Sequence, residues 1–279
     1  MGNQNFTSLL KFKSWYDFKG SAADDQLIND LIQQSSMDLL AYLARKSLLK
    51  STYTEYSDGT GGGRILLRQW PVLSVTLLTD TGTTIPATSY APNTSPPSPP
   101  GYGYFLDPWD GTPPGSPQYL TAIGANFRRG RRNICATYVA GFLAQAEPAT
   151  VPAKSPFTVK AMQQFGLWSQ DEGVTNSSTG AALTKVTGVP TTGQYAVNEG
   201  VYTFAAADTG NAVLLNYDYV PATLERACRE MVGERYAYRP RIGQKSQSFQ
   251  GNVTATYDNS GLTDFVKNMV QPYKRMTPA

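Results

Sequence analysis

Apolar residues recur at helical spacing along one long stretch of the chain and at alternate positions along many short ones. From Asp24 to Leu49, DDQLINDLIQQSSMDLLAYLARKSLL sets Leu27, Ile28, Leu31, Ile32, Leu39, Tyr42 and Leu43 on one side. Asn29, Asp30, Gln33, Gln34, Asp38 and Arg45 fill the other. This spacing predicts an amphipathic helix of about 26 residues, a rod of about 39 Å. Ser21 followed by Asp24 suggests a capping box, and Arg45 and Lys46 in the last turn would complement the helix dipole. A single apolar stripe needs partners, and the chain offers them near its far end. Pro221 opens a second helix, ATLERACREMVGERYAYR, whose Leu224, Ala227, Cys228, Met231 and Val232 share a face. A short third helix, LTDFVKNMVQPYKRM, carries Leu262, Phe265, Val266, Met269 and Val270 and stops at Pro272.

The rest of the pattern is strand-like. Strands are expected at 64–69 and 72–79, and YLTAIGANFRRGRRNICATYVAGF reads as strand, turn, strand. Residues 86–117 are crowded with proline and glycine, so an irregular loop is expected, anchored by Tyr102, Tyr104, Phe105 and Trp109 on its own sheet or on a partner. EPATVPAKSP reads as a linker, and residues 156–220 alternate apolar and polar positions between turns, as an inserted β unit would. The N-terminal residues Phe6, Leu9, Leu10, Phe12, Trp15, Tyr16 and Phe18 are too apolar for a free tail. Residues 240–261 read as an extended arm. The expected fold class is α+β: a small helical-bundle core, a projecting β-hairpin region and an inserted antiparallel β domain. Its divisions are 1–151, 152–220 and 221–279.

Composition narrows the chemistry. With 279 residues, 41% of them hydrophobic, the chain can bury a core. It has no histidine, which removes the commonest general base and the commonest metal ligand. The acid pairs Asp107 with Asp110 and Asp171 with Glu172 place no carboxylates across a cleft, and no nucleophile has a base beside it. No enzyme activity, no cofactor and no metal are expected. Cys135 and Cys228 read as two buried thiols, with a disulfide left open. No apolar run approaches membrane-spanning length and the N-terminus lacks signal-peptide order, so a cytoplasmic product without a membrane partner is expected.

The net charge of +3 is unremarkable, but Arg128, Arg129, Arg131 and Arg132 crowd around Gly130. Such a turn suits phosphate, a carboxylate-rich protein surface, or plain solvation. The glycine-rich run from Asp58 to Gly63 lacks the Lys-Ser or Lys-Thr of a phosphate loop and reads as a flexible hairpin tip. Trp168, Tyr195, Tyr202, Tyr217 and Tyr219 could stack on carbohydrate or host surface; alternating aromatics also build β cores.

The order of these parts resembles the head-to-tail connector (adaptor) family of tailed bacteriophages. The resemblance rests on DDQLINDLIQQSSMDLLAYL, YTEYSDGTGGG, RILLRQWPVLSVTLL, RRGRRNICATYVAGF, and a Pro-started helix running into RYAYRPRIGQKS and VKNMVQPYKRM. It covers residues 24–80, 119–143 and 221–276. The run GVPTTGQYAVNEGVYTFAAADTGNAVLLNYDY is similar to a β module of phage virion proteins. The resemblance implies a structural subunit in a ring, a dodecamer in the usual family pattern. That ring would sit in the neck of a virion assembled in the host cytoplasm, between the portal protein and the next neck or tail protein, and genomic DNA would pass through its channel. Contacts with the portal or a neighbouring copy are expected at Arg239, Arg241, Ile242, Phe249, Tyr257, Tyr273, Lys274 and Arg275.

Overall fold

The structure, a computed structural model, describes residues 4–16, 21–88, 101–108, 116–239, 246–249, 253–256 and 262–277. The chain divides into two units: Met1–Lys46 with Leu143–Gln271, and Ser47–Phe142 with Pro272–Ala279.

Helices α1 (Leu9–Tyr16), α2 (Asp25–Tyr42), α3 (Ala222–Tyr238) and α4 (Asp264–Val270) all lie in the first unit. The mate anticipated for α2 is the one it has. Ser36 on α2 approaches Cys228 on α3 at 3.6 Å, and Ile28, Ile32, Leu39, Leu224, Ala227 and Met231 are buried. Ser36 also ties down the N-terminal segment, because its hydroxyl accepts from the Phe6 amide at 2.9 Å and donates to the Ile32 carbonyl at 2.7 Å. Phe6 and Phe12 are fully buried as a result. α2 is shorter than its apolar pattern predicts, 18 residues or about 27 Å. Ala44 adopts φ +54°, a left-handed turn that ends the helix. Leu43 and Leu48 are buried nonetheless, so the extra apolar residues serve packing outside the helix.

A helical-bundle core is not what the chain forms. Among the described residues strands outweigh helices, 39% against 26%. In the first unit β8 (Leu143–Thr150), β10 (Gly166–Asn176) and β14 (Ala212–Pro221) make a sheet in the order β10-β14-β8. β9 (Thr158–Lys160), β11 (Thr184–Lys185), β12 (Gln194–Asn198) and β13 (Val201–Phe204) make another, ordered β11-β12-β13-β9. Ala144, Val174, Tyr195, Tyr202, Phe204, Val213, Leu215 and Tyr217 fill one core between these strands. Part of the expected linker, Glu147–Thr150, is in fact the end of β8, paired with β14. Short alternating runs each satisfied their backbone by pairing, so the β content became the bulk of the unit and the helices an addition to it.

The second unit holds the antiparallel sheet β1-β7-β3-β4, formed by β1 (Ser51–Gly59), β7 (Gly130–Ala140), β3 (Val72–Asp80) and β4 (Thr83–Thr84). A smaller sheet, β2-β6-β5, comprises β2 (Arg64–Leu66), β6 (Tyr119–Ile123) and β5 (Gly103–Asp107). β6 and β7, expected as one hairpin, therefore belong to different sheets. On β7, Ile134, Ala136, Tyr138 and Ala140 turn inward at period two and meet Ile65, Leu78, Tyr104, Leu120 and Phe127 in the core. Tyr104 thus anchors the proline-rich region on its own sheet, while Trp109 and Asp110 lie outside the described residues. The chain returns to this unit at its end: Trp70 lies against Phe142 and Tyr273 and donates from Nε1 to the Lys274 carbonyl at 3.0 Å.

Candidate functional site

The strongest concentration of unpaired charge sits in the second unit, where β7 begins. Two features of the neighbouring strands hold it. β3 ends in Asp80, 6% exposed, whose carboxylate faces inward at the turn. It accepts from the Arg128 amide at 2.8 Å, from Asn133 Nδ2 at 3.2 Å and from the Thr81 hydroxyl at 2.9 Å. β1 ends in a bulge between Ser57 and Gly59. There Asp58 accepts from the Arg132 amide at 2.6 Å, and the Gly59 amide donates to Asn133 Oδ1 at 2.8 Å. Asn133 closes the circuit by donating to the Arg128 carbonyl at 2.9 Å. Both local acids are thereby spent on fixing the backbone of the turn.

The side chains above this frame are free to act. Arg128, Arg129, Arg131 and Arg132 are all exposed, and none forms an ion pair among the described residues. Arg132 lies over the ring of Tyr56 at 5.5 Å, and Tyr56 is 50% exposed. Its backbone sits at φ +49°, a left-handed conformation costing a non-glycine residue about 1–3 kcal/mol, which the Asp58 bond helps to hold. Arg129 lies along the glycine-rich run: a Cβ on Gly61 would come within 2.9 Å of Arg129 Nε, and Gly61 itself has φ +85°. The run is no hairpin tip, since it joins β1 to β2 in different sheets, and the Gly62 carbonyl accepts from the Phe127 amide at 3.0 Å. The four arginines were legible in the sequence, and Asp58 and Gly61 only as parts of the glycine-rich run, whereas Asp80, Asn133 and Tyr56 were not singled out. The one signal was local: Asp80-Thr81-Gly82 ends an apolar strand as a turn would.

The remaining candidates are scattered. Arg239 caps α3 and pairs with Asp24 at 3.1 Å. That guanidinium, followed by the Tyr236 hydroxyl and the Ser21 amide, holds the Asp24 carboxyl below its ordinary range. Tyr273 is buried, its ring stacked on Trp70. The Lys274 carbonyl is taken up by Trp70, and Arg275 stands 3.7 Å from Glu55. Phe249 lies in β15 (Ser246–Phe249), which pairs with β16 (Val253–Thr256). Arg241, Ile242 and Tyr257 lie outside the described residues.

Of the aromatics proposed to stack on sugar, Tyr195, Tyr202 and Tyr217 are buried in the core of the first unit, so their faces meet protein. Trp168 donates to the Tyr202 hydroxyl at 3.2 Å, and only Trp168 and Tyr219 of the five keep partial exposure. Of the four acids singled out, Asp110 lies outside the described residues and the other three have partners. Asp107 binds Arg64 at 3.1 Å, Asp171 binds Lys185 at 3.1 Å and the Tyr195 hydroxyl at 2.8 Å, and Glu172 accepts from Gln170. Both cysteines are free thiols: Cys135 is half-buried, and burial pushes the Cys228 thiol up to about 12. Among the described residues no helix is long and apolar enough to cross a membrane. A scan against protein-family models gave no match, and a search of curated proteins gave none.

Proposed function

We propose that the protein is a structural subunit that assembles with copies of itself into a ring. In this reading it is a head-to-tail connector subunit of a tailed bacteriophage, lying between the portal and the next neck or tail protein. The observation that carries the assembly reading is on the helices of the first unit. α1, α2 and α4 turn large apolar side chains to solvent: Leu10 is 76% exposed, Trp15 40%, Met37 59% and Phe265 56%. Exposed apolar side chains supply an association surface where they gather into one patch. A ring joins one face of each subunit to a different face of the next, so such side chains need no counterpart of their own kind. The order of sequence motifs supplies the phage assignment. Without a helical-bundle core, the α2–α3 pairing still stands, with Ser36 beside Cys228 and Arg235 donating to Ser35 at 3.2 Å.

Sedimentation velocity of the full-length chain, alone and with portal assemblies, tests the reading. The wild type should form a closed oligomer or add to the portal as a layer. A Leu10→Glu, Met37→Glu, Phe265→Glu variant should stay monomeric with unchanged circular dichroism, because all three side chains are exposed. A wild type that stays monomeric under both conditions overturns the proposal.

A further inference from the structure

We propose that the arginine turn is a docking surface for the phosphodiester backbone of double-stranded nucleic acid, gripped without regard to base sequence. Three features of the turn point to a ligand. Its guanidiniums are unpaired while its backbone is fixed, which is how a cationic site is kept ready without collapsing onto its own acids. Gly130 leaves a bare stretch of backbone between the two arginine pairs, and a Cβ there would come within 2.9 Å of Asn133. Gly61 likewise leaves the space in which Arg129 lies. The planar guanidinium fork matches phosphate oxygens, and arginines on either side of one point can meet successive phosphates.

Several of the chain's own carboxylates are already taken by other cations. Asp24 is committed to Arg239, Asp25 to Lys13, Asp38 to Arg235, Asp107 to Arg64, Asp171 to Lys185 and Glu225 to Lys11. Asp30, Glu199 and Asp264 stay exposed, so an acidic protein surface is the rival occupant, which the poly-glutamate arm below separates from nucleic acid. The turn's own charge, four arginines less Asp58 and Asp80, is +2 of the chain's net +3, so the excess is concentrated here. Tyr56 adds an exposed ring beside Arg132, usable against a sugar. The inference stands on this geometry and does not need the ring. Ring formation without nucleic-acid binding sinks it alone; binding without rings sinks the connector reading alone.

The test is fluorescence anisotropy of the full-length chain with a labelled duplex of about 20 base pairs, over a salt series. Each phosphate neutralised contributes a slope of about −0.9 in log affinity against log salt, so four contacts give about −3.6. That amounts to a loss on the order of 100-fold between about 50 and 200 mM. Two duplexes of unrelated sequence should bind alike. Replacing Arg128, Arg129, Arg131 and Arg132 by Gln, all exposed and none needed for packing, should bring the slope close to zero. Asp80→Asn supplies a readout that charge alone would not move. It makes the turn more positive, so a merely electrostatic patch would bind more tightly, whereas a positioned one binds more weakly. Equal slopes for wild type and the four-arginine variant overturn the proposal. So does displacement of the duplex by poly-glutamate at equal charge concentration, which would make an acidic protein surface the partner.

Discussion

Buried carboxylates do different work in the two units. In the first, Glu147 and Asp171 face tyrosines: the Tyr217 hydroxyl donates to Glu147 at 2.5 Å and the Tyr195 hydroxyl to Asp171 at 2.8 Å. Glu147 also accepts from the Met162 amide at 2.7 Å. These bonds let a β core made of large aromatic rings bury their polar ends. In the second unit Asp80 faces backbone amides and an asparagine, and what it stabilises is a surface turn. The first arrangement makes the interior whole; the second makes an exterior ready. The difference separates residues that hold the fold from residues that present chemistry, though both look alike as single acids in a sequence.

The largest effect that could break this contrast is loss of packing rather than of charge. Trp70→Ala removes a fully buried ring that holds Phe142, Tyr273 and the returning chain end. It should cost about 3–5 kcal/mol in urea unfolding of the second unit. If the turn is positioned by Asp80 and Asp58, a folded fraction of that variant should still bind duplex.

Tyr217→Phe should cost about 1–3 kcal/mol, because Glu147 keeps its burial and loses a donor. The same tyrosines set an alkaline limit. Burial first, and the neighbouring acid second, hold the Tyr195 and Tyr217 hydroxyls well above the ordinary tyrosine value of 10.0. The unfolded chain gives up these protons at a lower pH than the folded one, so stability is full below about pH 10 and falls above it. Melting temperatures between about pH 8 and 11.5, followed with tyrosinate absorbance, should drop as the rings ionise, with ionisation and unfolding coincident. Separate ionisation before unfolding would contradict the buried pairing. Asp80→Asn should give the smallest loss of stability, about 1 kcal/mol, confined to the second unit. Its amide-exchange signature should be faster exchange at Arg128, with the first unit unchanged.

What the sequence made legible was local period. The alternation in β7, the apolar stripe of α2 and its pairing with α3 all follow from spacing that neighbouring residues fix between them. What it hid was partner choice over distance. Nothing near Tyr119 or Ile134 says that β6 and β7 enter different sheets, because both runs alternate equally well. Trp70 finds Tyr273 from 203 positions away, since their numbers differ by 273 − 70. Nothing in the sequence marks Glu147 and Asp80 as buried, because an acid's burial depends on donors supplied by other strands. The helical-bundle expectation failed for the same reason: one long stripe drew notice, while many short strands, each weak alone, made the larger cores. The arginine turn was legible as charge and illegible as a shaped site, because its frame comes from the ends of β1 and β3.

The assembly claim is tested most directly by imaging the neck of the particle that carries this chain, at a resolution that separates subunits around the axis. The account expects an annular layer built of this chain between portal and tail, with the arginine turn of each copy facing the nucleic acid in the channel. A neck without such a layer would contradict it; a layer whose arginine turns all face away from nucleic acid would contradict the docking inference alone.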